Sequence, residues 1–311
     1  MTTAVLIPCY NEAATIGKVV GDFRRALPDA RICVFDNNSK DDTAKLAREA
    51  GAEVFSEKIQ GKGAVVRSMF SKIDADAYVL ADGDDQCPAE SAPDLLAPIL
   101  AGEADMVLGD RISGGAYAKE NKRFGHEFGN YLVRFLVNKI FRGNLRDIMT
   151  GYRAFNRKFV KNFPIRRNGF EIETEMTLHA LDNRFRIAQI PIVVRDRPAG
   201  SKSSMNTVRD GIKVLLTVFN MFKNYNPMAF FGMLALSFAL LGLIVAIPVF
   251  WDFIFNDGYI THVPLAILAS GIEVVAVITF FCGLILDTVA DYNRRLYELR
   301  MVDYETKNGG L

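Results

Sequence analysis

The stretch Ala4-Val5-Leu6-Ile7-Pro8-Cys9-Tyr10-Asn11-Glu12 decides the fold. A short apolar run ends at a proline, and apolar spacing over residues 13–26 then predicts a helix, so the segment reads as strand, loop, helix. Asn11 is placed to cap that helix, and the turn presents Tyr10 and Glu12 at the carboxyl edge of the strand, where open α/β sheets bind ligands. The plan repeats. Ile32-Cys33-Val34-Phe35 is a second strand, residues 36–43 a polar loop, and the helix after it runs to Ala50 and stops at Gly51. Val54-Phe55 reads as a third strand, Gly61-Lys62-Gly63 opens a helix through Lys72, and Tyr78-Val79-Leu80 is a fourth strand. Strands alternating with helices predict an α/β fold with a largely parallel, Rossmann-like sheet. No GxGxxG follows the first strand, which argues against a dinucleotide site of the usual kind.

The fourth strand runs into Asp82-Gly83-Asp84-Asp85-Gln86. In a loop leaving a buried strand, Asp82, Asp84 and Gln86 can turn toward one point, and hard oxygen donors favour Mg2+ or Mn2+. An acidic surface turn is the other reading, since Asp-Gly pairs mark turns widely.

IPCYNE (7–12), FDNNSKDDT (35–43), GKG (61–63) and DGDDQ (82–86), in that order and at those spacings, resemble glycosyltransferase family 2 with the GT-A fold. More narrowly they resemble the dolichol-phosphate mannose synthase branch, whose bacterial members act on undecaprenyl phosphate. The resemblance continues through DRISGG (110–115), DIMTGYRAF (147–155), GFEIETE (169–175) and RPAGSKSS (197–204), roughly the first two-thirds of the chain. It implies that Pro8, Tyr10, Glu12 and Asp36 hold the nucleotide base and ribose, with Asn38, Lys62 and Gly83 nearby. Asp82 would touch ribose or metal, and Asp84 and Gln86 would ligate the ion bridging the donor diphosphate. The implied partners are a UDP- or GDP-linked sugar, a polyprenyl phosphate and a membrane. The implied reaction is an inverting transfer of a single sugar, and the implied assembly is a homo-oligomer, tetramers being frequent in this branch.

Breaking a glycosyl bond to a nucleoside diphosphate builds negative charge on the leaving phosphate, which a bound cation stabilises. A lipid monophosphate acceptor is already largely ionised at neutral pH, so it needs positioning more than deprotonation. Asp147, ahead of Thr150-Gly151-Tyr152-Arg153, is the candidate base or orienting carboxylate, grouped with Arg153 and Asp84 as catalytic; an ion pair from Asp147 to Arg153 or Arg146 is the alternative. An anionic acceptor needs cations, and Arg111, Arg123, His126, Arg197 and Lys202, with Ser113, are the candidates. A solvated basic face near anionic lipid would also account for them. Relatives commonly carry a lysine where this chain has Ser204, so either Lys202 substitutes from a shifted position or the loop works without that contact.

The last third is different in kind. Residues 228–251 and 263–286 are apolar runs longer than the roughly 20 residues that span a bilayer. Lys213 and Lys223 precede the first, and Arg294, Arg295 and Arg300 follow the second, whereas residues 252–262 hold no lysine or arginine. The positive-inside rule then puts both chain ends and the catalytic domain in the cytoplasm, in a bacterial plasma-membrane protein. The organisation expected is a GT-A domain at 1–206, an amphipathic juxtamembrane helix at 207–226, a two-helix hairpin at 227–290 and a tail at 291–311. Glu273, inside the second run, should be protonated or paired within a helical bundle.

Composition bounds the remainder. A formal net charge of +1 over 311 residues gives no argument for nucleic acid as a partner. Four scattered cysteines and three distant histidines offer neither a disulfide framework nor a zinc site. Two rival readings stand beside single-sugar transfer. A processive polysaccharide synthase would carry QxxRW, whereas the lone Trp251 here follows Ile247-Pro248-Val249-Phe250. A silent GT-A scaffold would not need the intact Asp82, Asp84 and Gln86.

Overall fold

The computed structural model describes residues 1–113, 126–141, 143–165, 168–169, 171–195, 207–255 and 258–308. They divide into two compact units, residues 1–218 and 219–311.

The first unit is built on a sheet with strands β1 (Thr3–Cys9), β2 (Arg31–Asp36), β3 (Glu53–Ser56), β4 (Ala77–Leu80), β5 (Met106–Asp110), β6 (Arg153–Asn156) and β7 (Ile187–Pro191). Their order is β3-β2-β1-β4-β6-β5-β7. The first four strands run parallel, as do β5 and β7, and β6 lies antiparallel between β4 and β5. The connecting helices are α1 (Ile16–Ala26), α2 (Thr43–Glu49), α3 (Lys62–Lys72) and α4 (Ala92–Leu100), followed by α5 (His126–Phe141), α6 (Arg157–Asn162) and α7 (Ile172–Asp182).

Continuous apolar runs fit strands covered on both faces. Val5, Ile7 and Cys9 of β1 pack on Val19, Val20 and Phe23 of α1 and, through Val79 and Val107, on Leu95, Leu96 and Ile99 of α4. On the opposite face Phe70, Phe155, Phe159 and Phe163 form an aromatic row that closes on His179 of α7. His179 is 3% exposed. Burial holds its imidazole down to about 4, so it is neutral at physiological pH.

Helix α1 starts later than the sequence predicts, and Asn11 does not cap it. Asn11 takes a left-handed backbone (φ 57°), and its side chain accepts the Lys40 N–H at 2.8 Å, tying the loop after β1 to the loop after β2. Polar side chains that bond a neighbouring loop compete with capping in this way.

Helix α8 (Thr207–Tyr225) leads into α9 (Pro227–Phe255) and α10 (Val263–Asn308). The last two, long and apolar enough to cross a membrane, pack antiparallel: Phe231 meets Gly283, Gly242 meets Glu273, and Asp252 meets Thr261 and His262. Helix α9 therefore continues past residue 251, and the Asp252 carboxylate accepts the Thr261 and His262 N–H groups at 2.9 and 3.1 Å, closing the turn between the two helices. Helix α10 outruns its apolar stretch, helped by exposed i,i+4 pairs such as Asp291 with Arg295 and Asp303 with Lys307. Glu273 faces the neighbouring helix, its Oε1 buried against Gly242 with no hydrogen-bond partner among the described residues.

Candidate active site

The chain passes from β1 outward through β2 to β3, then returns to place β4 on the other side of β1. That reversal opens a crevice at the carboxyl ends of β1 and β4, the usual ligand position in an open α/β sheet. The sequence-predicted donor residues gather there. Pro8 is in register with Phe35 and Cys9 with Asp36, so Tyr10 and Asp36 leave adjacent strands side by side. Asp36 Oδ1 is buried with no hydrogen-bond partner among the described residues. Such an acceptor is costly unless a ligand satisfies it.

Loops around the crevice are braced on one another. Thr43 Oγ1 accepts the Glu12 N–H at 2.8 Å, while the Glu12 carbonyl accepts the Thr15 and Ile16 N–H groups at the start of α1. Asn38, also left-handed (φ 62°), donates its amide to Lys58 O at 2.9 Å and to Gln60 Oε1 at 3.2 Å. The buried Asn37 spans from Glu57 O and Ile59 O to the Gly61 N–H, fixing the entry to α3. Asn37 is therefore the main brace of this loop, although the sequence draws attention to Asn38.

The acidic loop lies directly against the end of β1. A β-carbon at Gly83 would fall 2.6 Å from Cys9 Sγ, so only glycine permits this approach. Thr15 Oγ1 donates to Gly83 O at 2.6 Å, and the Gln86 N–H reaches Asp84 Oδ1 at 3.2 Å. Asp84 is 5% exposed. Asp82 is engaged by Lys62, whose Nζ stands 2.6 Å from Asp82 Oδ1 and 2.6 Å from Glu173 Oε1. Burial alone would favour neutral Lys62, but the two carboxylates outweigh it and hold the ammonium well above its ordinary range. Gly151 lies over this triad, where a β-carbon would sit 2.7 Å from Asp82 Oδ2 and 2.9 Å from Lys62 Nζ. Glu173 Oε2 is, like Asp36 Oδ1, buried without a partner among the described residues. Burial, with the carboxylates around it, also pushes the Cys9 thiol well up, so Cys9 is a neutral floor rather than a nucleophile.

On the β5 side, Asp147 pairs with Arg111 rather than with Arg153 or Arg146: Arg111 Nε and Nη2 lie 2.6 and 2.9 Å from its two oxygens. Arg146 donates instead to Ser113 Oγ at 2.7 Å. Arg153 is a correction. It is fully buried and donates to Thr150 O, Ile148 O, Glu173 O and Thr177 Oγ1 at 2.8 to 2.9 Å. Burial brings its guanidinium down to about 10. Enclosed by these acceptors, it cannot touch a substrate, and it instead ties the 147–152 loop to α7. Arg123, Arg197, Lys202 and the side chain of His126 lie outside the described residues.

Sequence reasoning missed three groups near this site. Glu173 lay inside a quoted motif with no role given to it. Lys18 and Arg195 went unnoticed, yet both bind Asp85: Lys18 Nζ lies 2.6 and 2.7 Å from its oxygens and Arg195 Nη1 3.1 Å away. A lysine in α1 and an arginine after β7 carry no local signal that they meet at this loop.

Residues 4–163 match the model of glycosyl transferase family 2. Glycosyltransferase AglJ of Haloferax volcanii is 31% identical over 294 residues, covering 93% of this chain and 94% of that protein. The dolichyl-phosphate hexose transferase of the same organism is 32% identical over 202 residues, 64% of this chain and 85% of that protein. Among solved structures, glucosyl-3-phosphoglycerate synthase of Mycobacterium tuberculosis, in complex with Mn2+, UDP-glucose and phosphoglyceric acid, superposes with a TM-score of 0.59 at 24% identity over 71% of this chain and 79% of that one. The sheet order and this likeness identify the fold as GT-A.

Proposed function

We propose that this chain, a glycosyltransferase that belongs to glycosyl transferase family 2, transfers one sugar with inversion from a nucleoside-diphosphate sugar to a polyprenyl monophosphate, using Mg2+ or Mn2+. The product is a polyprenyl-phosphate monosaccharide for cell-envelope glycans or protein glycosylation. The observation that carries this reading is the Asp36 oxygen, buried without a partner among the described residues, at the same end of the sheet as Asp82, Asp84 and Gln86. Relatives such as the dolichyl-phosphate hexose transferase support the acceptor class.

The donor set fits a hard divalent ion. Asp84 and Gln86 offer oxygen, and Asp82 has one oxygen engaged by Lys62 and a second beside Gly151. No group of three His, Cys, Asp or Glu side chains is gathered among the described residues. One or two carboxylates with substrate phosphates completing the shell is the ordinary arrangement for Mg2+. Mn2+ with UDP-glucose in the M. tuberculosis enzyme supports the same class of cofactor and donor. Bound there, the ion would stabilise charge developing on the leaving diphosphate.

This chain's residues divide the remaining work. Pro8, Tyr10, Glu12, Asp36 and Asn38 hold base and ribose beside Gly83, and Lys62 keeps the Asp82 carboxylate in place. Arg111 and Ser113, with Arg123, His126, Arg197 and Lys202 from outside the described residues, receive the acceptor phosphate. A phosphate oxygen attacks the anomeric carbon, and the bond to the diphosphate breaks with its electron pair leaving on the nucleotide. No proton need be removed from an ionised phosphate, so Asp147 serves by holding Arg111 in a two-pronged ion pair. Helices α9 and α10 act as two spans with both ends cytoplasmic, matching nucleotide sugars in that compartment. Ile212, Leu216 and Phe219, exposed along α8, suit a helix resting on the membrane surface in a homo-oligomer of such chains.

The test is a detergent assay with undecaprenyl phosphate, Mn2+ or Mg2+ and radiolabelled UDP- and GDP-sugars, scoring label that enters the organic phase. Label from one donor, lost with chelator, is the expected result. No lipid-linked label from any donor would overturn the acceptor, and transfer persisting in excess chelator would remove the metal.

A further inference from the structure

We infer that Asp85 is a positioning residue: clamped by Lys18 and Arg195, it sets how Asp84 and Gln86 are presented, and so governs metal affinity without touching the metal. The inference rests on the metal reading above. Asp82, Asp84 and Asp85 fall within four residues, yet only Asp85 is in a left-handed backbone conformation (φ 64°), which L-residues resist. Ion pairs hold it there. Lys18 Nζ contacts both Asp85 oxygens at 2.6 and 2.7 Å, and Arg195 Nη1 contacts Oδ1 at 3.1 Å. The same two cations share Asp22, at 3.1 and 2.9 Å, and Arg195 Nη2 reaches Glu90 at 2.5 Å. The Arg195 N–H also donates to Gln86 O at 3.1 Å.

The consequence runs along the backbone. The residue that follows Asp85 donates its N–H to Asp84 Oδ1, so rotation at 85 moves the hydrogen bond that orients the Asp84 carboxylate. Helix α1 and the exit of β7 thus grip the loop from two elements remote in sequence. Partners one step removed from a metal typically change its affinity by about 10- to 100-fold when lost.

Three variants of the full chain in detergent test this by Mn2+ electron paramagnetic resonance titration, run with UDP and separately with GDP. Asp85→Asn keeps a side chain that tolerates the left-handed backbone while deleting the charge. Lys18→Met removes the clamp from a side chain that is 54% exposed, and Lys18→Arg restores its charge. Asp85→Asn and Lys18→Met should each weaken nucleotide-dependent Mn2+ binding about tenfold, with metal-free nucleotide affinity changed less than about twofold and Lys18→Arg close to wild type. Mn2+ affinity within about twofold of wild type in Asp85→Asn and Lys18→Met, while Asp84→Ala abolishes it, would overturn the inference and leave the metal reading standing. Absence of nucleotide-dependent Mn2+ binding in the wild type would overturn both. Parallel loss of metal binding, metal-free nucleotide binding and melting temperature in Asp85→Asn and Lys18→Met would assign the network an ordinary structural role and overturn it as well.

Discussion

Two clusters of buried charge stand on the same edge of the sheet and differ in how completely the chain satisfies them. At the crevice, where Lys62 bridges Asp82 and Glu173, Asp36 Oδ1 and Glu173 Oε2 are buried without partners among the described residues. Around Arg153 the guanidinium is enclosed by three carbonyls and a hydroxyl, and Asp147 has both oxygens on Arg111. Buried polar groups are ordinarily satisfied, so the first cluster leaves acceptors that a ligand could take up, whereas the second is closed by the chain itself. Residue type alone does not separate the two, since both contain carboxylates and cations from quoted motifs.

The contrast can be broken at several points. Asp84→Ala should lower turnover by about 10²- to 10³-fold, roughly 3–4 kcal/mol, in a chain with unchanged circular dichroism. Retained turnover would take the acidic loop out of the chemistry. Arg153→Met should act on the fold instead, costing about 3–5 kcal/mol of stability by stranding buried carbonyls, read as a lowered melting temperature. A stable but inactive variant would return Arg153 to the reaction.

The aromatic row under the second cluster gives a pH-dependent test. His179 has a folded value of about 4, below its unfolded value near 6.5, so the unfolded chain binds the extra proton between those limits. Its contribution to stability is complete above pH 6.5 and is lost as pH falls toward 4, about 3 kcal/mol in all. His179→Gln should lose that much less stability than wild type across the window, measured by paired melts. Two smaller effects sharpen the comparison further. Asp36→Asn should weaken nucleotide binding about tenfold, or ~1.4 kcal/mol, without destabilising the chain, since its buried Oδ1 has no partner among the described residues to lose. Asp147→Asn should cost only a few-fold in kcat if it merely steadies Arg111, whereas about 10²-fold or more would restore it as a base.

Much of the fold was legible because its signals are local. Three strand-loop-helix units, a fourth strand with the acidic loop after it, and two apolar helices each announce themselves within a few residues. What stayed hidden depends on distant partners. Asn11 looks like a helix cap until Lys40 is seen to take its side chain. Arg153 looks like an active-site cation because nothing in its own segment shows that α7 will supply two of its acceptors. Lys18 and Arg195 are 177 positions apart by number and share Asp22 and Asp85. The donor-side candidates follow strands of regular α/β units and so fall together at one end of the sheet, whereas Arg123, Arg197 and Lys202 on the acceptor side lie outside the described residues.

The antiparallel strand β6 has a consequence for the order of events during synthesis. It lies in the interior of the sheet, between β4 and β5, yet it is the sixth strand to be made. A nascent chain that has released residues 1–110 holds five strands, two of which, β4 and β5, have no strand between them and present unpaired edges prone to association with other chains. The N-terminal portion can begin pairing early, because β1, β2, β3 and β4 form a contiguous block. Closure must wait for β6, which arrives with the 147–152 loop at its head. The sheet is therefore continuous from β3 to β5 only once β6 has been made and has entered between β4 and β5.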